Sequence, residues 1–241
     1  MNLRETLKIE QQALSIGGIS VDKLAKEYGT PLYVMDQSHI ENMCKTFVDG
    51  LKSNNVDGMI CYASKAFCSK YIYNLINQYG LGADVVSSGE LFTALKSDFP
   101  ADKIIFHGNN KLPEEIYFAL ENDIKYFVID SERELDLLQE KCKKLNKIQQ
   151  VLIRVNPGVE AHTHHYIQTA KTDSKFGFSI DNGDATDFIQ KVLKCSNVKL
   201  VGLHCHIGSQ IFESVSFKIA VEKMCKYYAF LKQSFGVEFP V

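Results

Sequence analysis

The chain has 241 residues, 45% hydrophobic and 23% charged, the balance of an ordinary globular protein with room for a sizeable core, which excludes disordered, collagen-like and coiled-coil classes. Its 27 basic and 29 acidic residues leave a net charge of −2, too weak a field for wrapping nucleic acid or anionic lipid, so small molecules or protein are the expected partners. Seven cysteines with no Cys-x-x-Cys read as reduced thiols of a cytoplasmic protein, and neither a signal-type apolar segment nor an uninterrupted apolar run of about 18 residues occurs.

Residues 1–19 carry weak signals, with an apolar piece around Ala13 to Ile19 broken by Gly17 and Gly18. They read as an arm outside the main fold, which is expected to occupy 20–241. From Ser20 a helix-then-strand rhythm starts: Ser20 can cap VDKLAKEY, Gly29 can end it, and TPLYVMD reads as a short strand. A helix capped by Ser38 follows, whose Ile40, Met43, Phe47 and Leu51 predict one buried stripe. The runs GMICYAS, LGADVVS, KIIFHG, KYFVID, QQVLIRVNP and KLVGLHCHIG are near-continuously apolar, as strands covered on both faces must be. Helical patterns at 69–79, 88–97, 113–121, 131–145, 185–194 and 213–235 alternate with them. Ser131 and Glu134 are spaced as a capping box, and Pro113 suits a first turn.

Counting TPLYVMD first and the terminal VEFPV last gives eight strand candidates. The alternation predicts an α/β fold, a parallel (β/α)8 TIM-type barrel, with an open doubly wound sheet as its rival; no Gly-x-Gly-x-x-Gly follows the first strand. A polar loop over 158–175 holds His162, His164 and His165 with Glu160 and Asp173, which reads either as plain polar loop or as a metal site. VEFPV looks like the opening of a strand with no helix after it, so the chain is expected to be the front part of something longer, incomplete at the eighth strand.

In a barrel the chemistry sits just past the carboxyl ends of strands. Lys65 follows CYAS, Asp84 lies within GADVVS, His107 and Asn109 end IIFHGN, Arg154 lies within LIRVNP, and His204, His206, Gly208 and Ser209 end the last apolar run. A lysine beside an apolar strand end can be desolvated into a neutral amine able to attack a carbonyl, and it can equally be a surface lysine snorkelling from the strand. His-Ile-Gly-Ser can turn tightly around an anion, or be a buried histidine beside a plain turn.

The set TPLYVMD, YASKAF, GLGADVVSSGEL, FHGNNK, RVNPGVEAHTHHYIQTAKTDSKFGFS and GLHCHIGSQI resembles the diaminopimelate decarboxylases, within the alanine-racemase-fold family of pyridoxal-phosphate enzymes, in order from about Gly18 to Val241. The resemblance implies pyridoxal 5'-phosphate as cofactor and decarboxylation of meso-2,6-diaminopimelate to L-lysine in a cytoplasmic homodimer, with no metal, nucleic acid or membrane. Arginine, ornithine and carboxynorspermidine decarboxylases, or a non-catalytic cofactor-binding remnant, are the alternatives. Carried over residue by residue, Lys65 matches the lysine that binds the cofactor covalently, His206 the histidine stacked on its ring, and Gly208 and Ser209 the turn near its phosphate. Asp84 and Arg154 fall where relatives keep polar groups around it. The same resemblance places a glycine-rich phosphate loop, a glutamate for the pyridine nitrogen and a carboxy-terminal β domain after the eighth strand. None of these lies within the 241 residues, so the isolated chain is expected to bind cofactor weakly and turn over little.

Overall fold

The structure, a computed structural model, describes residues 6–10, 13–159, 176–209, 211–212 and 214–240. The chain divides into two compact units, residues 1–62 with 69–82 and residues 63–68 with 83–241.

In the first unit, β1 (Leu7–Glu10), β2 (Ala13–Ile16) and β3 (Ile19–Ser20) form an antiparallel sheet, with Leu7 opposite Ile16 and Ser15 opposite Ser20. The weak signals before Ser20 gave no sign of this ladder. Ser20 caps α1 (Val21–Tyr28), accepting the Asp22 N–H at 3.3 Å, and Gly29 closes it. TPLYVMD is not a strand: among the described residues no strand pairs with it, and Tyr33 is 97% exposed, because an extended segment becomes a strand only where a neighbour completes its hydrogen bonds. The next helix, α2 (Gln37–Ser53), is capped by Asp36, whose Oδ1 accepts the His39 N–H at 3.2 Å; Ser38 lies inside it. Its expected buried stripe is open at Met43 and Phe47, and Cys44 is the buried residue instead. Periodicity assigns a face, not what covers it. The unit also holds Cys61 and Tyr62 of β4 (Cys61–Ala63), and α3 (Lys70–Gln78), capped by Ser69 and buried through Ile72, Tyr73, Leu75 and Ile76.

The second unit is an alternation of strand and helix: β5 (Gly82–Val85), α4 (Ser88–Leu95), β6 (Ile104–Phe106), α5 (Pro113–Glu121), β7 (Tyr126–Ile129), α6 (Glu132–Leu145), β8 (Gln149–Asn156), β9 (Phe178–Ser179), α7 (Asp184–Leu193), β10 (Val198–His204) and α8 (Ser214–Phe235). The sheet of this unit runs β10-β8-β7-β6-β5, and β9 pairs with β8. All of the pairings from β5 to β10 are parallel, with Asp84 beside Ile105, Ile105 beside Tyr126, Val128 beside Leu152 and His204 beside Arg154. Spatial order follows chain order without the reversal that defines a doubly wound sheet, so the rival is set aside. The unit is an incomplete α/β barrel. Residues 237–240, expected to open an eighth strand, form none.

The strands are buried on both faces, as their apolar runs require. Tyr126, Val128, Leu152 and Val201 pack on one side, while Phe106 and Phe127 meet at 5.7 Å between ring centres. Against them lie Leu91 and Ala94 of α4, Ile116, Ala119 and Leu120 of α5, Leu135, Leu138 and Cys142 of α6, and Phe188, Ile189 and Val192 of α7. Each such side chain removed from water contributes about 1.5–3 kcal/mol.

Helix starts are held by acidic side chains as well as serines. Ser87 accepts the Glu90 N–H at 3.3 Å while Glu90 Oε2 accepts the Val86 N–H at 2.6 Å. Ser131 accepts the Glu134 N–H at 3.3 Å, but Glu134 does not return the bond to Ser131; its Oε2 accepts from Asp130 N at 3.1 Å. The capping-box spacing is present and the carboxylate reaches one residue further back. Among the described residues no helix is long and apolar enough to cross a membrane.

Candidate active site

The residues singled out from sequence, Lys65, Asp84, His107, Asn109, Arg154, His204, His206, Gly208 and Ser209, fall near or past strand carboxyl ends. Lys65 sits in the 3-10 turn Ser64–Ala66 directly after β4 and is exposed, the second of the two placements open to a lysine at a strand end. Asp84 is the third residue of β5, and its Oδ2 lies 3.0 Å from His107 Nε2, an ion-pair distance without the alignment of a hydrogen bond. His107 follows β6, and its backbone N–H donates to Val85 O at 2.9 Å, which fixes the loop against the β5 end.

Arg154, near the end of β8, donates from Nη1 to Asp130 Oδ2 at 3.0 Å and lies over the Phe176 ring, 4.7 Å from its centre. Both partners of that ion pair are largely buried. Asp130 immediately follows β7, and its Oδ1 accepts the Gly177 N–H at 2.5 Å.

His204 closes β10 with its ring centre 5.9 Å from that of His107. Burial, reinforced by the charges of His107, Arg154, His206 and Lys111, pushes its imidazole down to about 3, so it is neutral at ordinary pH. His206, two residues on, is exposed in its own right, yet its pKa is lowered, first by burial and then by Lys65, Arg154 and His107, with Asp84 pulling the other way. One imidazole therefore feels Lys65, Arg154 and Asp84 together. Gly208 has φ +135°, a backbone that only glycine adopts easily, and Ser209 is exposed beyond it. Cys205, His206 and Gly208 line an apolar cleft of about 280 Å³ against Phe217, Met224 and Tyr228 of α8.

Sequence reasoning missed Asp130 and the pair Lys111–Glu134. Asp130 was findable, since it ends KYFVID by the same strand-end rule that selected the others. Lys111, in a loop reading Asn-Asn-Lys-Leu-Pro, has the signature of a surface lysine; it is instead buried, with its Nζ 2.5 Å from Glu134 Oε1. Burial pushes the Lys111 ammonium down and the Glu134 carboxyl up, and each partner's charge opposes the other's shift. His162, His164 and His165, with Glu160 and Asp173, lie outside the described residues. Among those described, no group of three or more His, Cys, Asp or Glu side chains could hold a metal.

Residues 37–241 match the family described as pyridoxal-dependent decarboxylase, pyridoxal binding domain. The chain belongs to this family. The pyridoxal-binding domain is 47% identical over 213 residues to the diaminopimelate decarboxylase of Bacillus subtilis (strain 168), covering 88% of this chain and 48% of that protein. It is 44% identical over 225 residues to that of Bacillus methanolicus, covering 93% and 52%. Among solved structures, the diaminopimelate decarboxylase of M. jannaschii in complex with L-lysine superposes with a TM-score of 0.86 at 36% identity, covering 98% of this chain and 55% of that one. The Helicobacter pylori diaminopimelate decarboxylase complexed with L-lysine gives 0.79 at 30% identity, covering 90% and 54%. The chain spans about half the length of the curated relatives it matches.

The residues present fit pyridoxal phosphate. Ser64 Oγ, Asp84 Oδ1 and His204 Nδ1 are buried polar atoms with no hydrogen-bond partner among the described residues, and they sit at the carboxyl ends of β4, β5 and β10. Buried polar atoms left unsatisfied are costly in a protein that has no use for them. Beside them are an exposed amine able to take an aldehyde and the cationic Arg154, while imidazoles at 204 and 206 are held toward neutrality.

Proposed function

We propose that the protein containing this chain removes one carboxyl group of meso-2,6-diaminopimelate as carbon dioxide and yields L-lysine, with pyridoxal phosphate held by Lys65, Asp84, Arg154, His206, Gly208 and Ser209. The observation that carries the reading is that Lys65, Asp84, Arg154 and His206 stand at or near the carboxyl ends of parallel strands beside Ser64 Oγ, Asp84 Oδ1 and His204 Nδ1, buried polar atoms with no hydrogen-bond partner among the described residues. The diaminopimelate decarboxylases it resembles, some with L-lysine bound, support the choice of substrate.

Pyridoxal phosphate, when bound, supplies an electron-poor ring that accepts the electron pair left as carbon dioxide departs. The chain's own groups do the rest. Lys65 Nζ offers the amine that anchors the cofactor aldehyde. The His206 imidazole would stack on the cofactor ring and hold its face at the barrel mouth. Gly208 turns the backbone so that the hydroxyl of Ser209 and nearby amides can face the phosphate. Arg154, paired with Asp130, places a fixed guanidinium at the mouth, and Asp84 stands beside His107.

In this reading 20–241 is the cofactor-binding barrel and 1–19 an accessory arm; the protein is a cytoplasmic homodimer, and the isolated segment binds cofactor weakly. The test is a panel on the full-length protein: pyridoxal phosphate with meso-diaminopimelate, L-arginine, L-ornithine or carboxynorspermidine, scored for carbon dioxide and amine product. Carbon dioxide and L-lysine formed one to one from meso-diaminopimelate are expected. Release from arginine or ornithine with none from meso-diaminopimelate would overturn the assignment.

A further inference from the structure

Lys111 and Glu134 form an ion pair in which both side chains keep less than a tenth of their surface exposed. An ammonium has three protons to donate. Lys111 Nζ finds three acceptors: Gly108 O at 2.8 Å, Val128 O at 2.7 Å and Glu134 Oε1 at 2.5 Å. Glu134 Oε2 in turn accepts the Asp130 N–H at 3.1 Å. One ion pair therefore ties together the turn after β6, the last residues of β7 and the start of α6.

Each tied point lies next to a residue of the site. Gly108 follows His107, whose Nε2 is 3.0 Å from Asp84 Oδ2. Asp130 holds Arg154 Nη1 at 3.0 Å and the Gly177 N–H at 2.5 Å. A buried ion pair is a poor way of gaining stability, because apolar residues of the same volume are often as good or better. What it supplies, and apolar packing does not, is direction: fully satisfied bonds to named backbone groups of separate loops.

We infer that Lys111 and Glu134 are positioning residues, which set where the His107–Asp84 and Arg154–Asp130 couples stand at the barrel mouth. The catalytic meaning of that placement rests on the function proposed above; the placement itself does not.

The test uses the full-length protein with Lys111→Met and with the double variant Lys111→Met/Glu134→Leu. The single variant leaves Glu134 buried without its cation and is expected to lower Tm sharply. The double variant removes both charges and is expected to regain a Tm near that of the parent. In its cofactor-free crystal structure both couples should open beyond about 4 Å, the limit of an ion pair. In the holoenzyme, kcat should fall by about tenfold to a hundredfold with KM for substrate changed much less. A double variant that keeps both couples closed, or keeps the parent kcat, overturns the inference and makes the pair structural. A parent protein that decarboxylates nothing would instead overturn the proposed function, and the crystallographic comparison would still decide this point.

Discussion

Arg154 Nη1 rests 3.0 Å from Asp130 Oδ2, and the other oxygen of the same carboxylate takes the backbone N–H of Gly177 at 2.5 Å. One side chain at the end of β7 thus seats a cation from β8 and the chain returning toward β9. Asp130→Asn removes the charge and leaves a largely buried guanidinium unpaired, a loss of about 3 kcal/mol. Urea unfolding should report it, and pyridoxal phosphate affinity should fall with it; unchanged values of both would show that Arg154 has another anchor.

Lys65 is exposed at the strand end, with its amine open to a small aldehyde. Borohydride reduction of the full-length protein with pyridoxal phosphate should leave the reduced cofactor on the peptide containing Lys65, detected by mass spectrometry. Lys65→Gln should lose that mass and on the order of a thousandfold in kcat, equivalent to about 4 kcal/mol of barrier. Labelling that persists on another lysine would displace Lys65 from the role.

The His204 imidazole has its pKa pushed down to about 3 in the folded chain, against an ordinary value of 6.5. Between those values the unfolded chain binds a proton that the folded chain refuses, so stability falls as pH falls. The slope is up to about 1.4 kcal/mol per pH unit, and above pH 6.5 this residue adds no pH dependence. Urea midpoints at pH 7, 6 and 5 should drop less steeply in His204→Gln than in the parent. Parallel slopes would mean that His204 is solvated.

Gly177 has φ +71°, and a Cβ there would stand 2.9 Å from Arg154 O. Gly177→Ala therefore combines a strained backbone with a clash against main chain, which cannot rotate away, and should cost about 1–3 kcal/mol. Because the same residue donates to Asp130, the variant should also weaken pyridoxal phosphate binding. A measured loss below about 0.5 kcal/mol would mean that the segment relaxes freely.

The apolar runs of β4 to β8 and β10 were legible because a parallel strand buried on both faces has little choice but to be apolar, and that need is written locally. The caps at Ser20 and Ser131 were legible for the same reason: a helix start must satisfy its own N–H groups with neighbours in sequence. Lys65, Asp84, Arg154 and His206 could be chosen because a barrel gathers its strand ends at one mouth, so position along a strand is already position in space.

What sequence could not express was pairing across distance. TPLYVMD has the composition of a strand and lacks a partner; Met43 and Phe47 have the spacing of a core stripe and lack a cover. Lys111 and Glu134 are separated by 23 residues and become a buried pair only when the loop after β6 meets the start of α6. By itself the sequence determined the repeating strands and helices from β4 to α8 and which side chains would stand at those strand ends, since both follow from local hydrogen bonding and burial period. Only the tertiary structure decided which charges meet, because that depends on the register between neighbouring strands and on which loops they carry together.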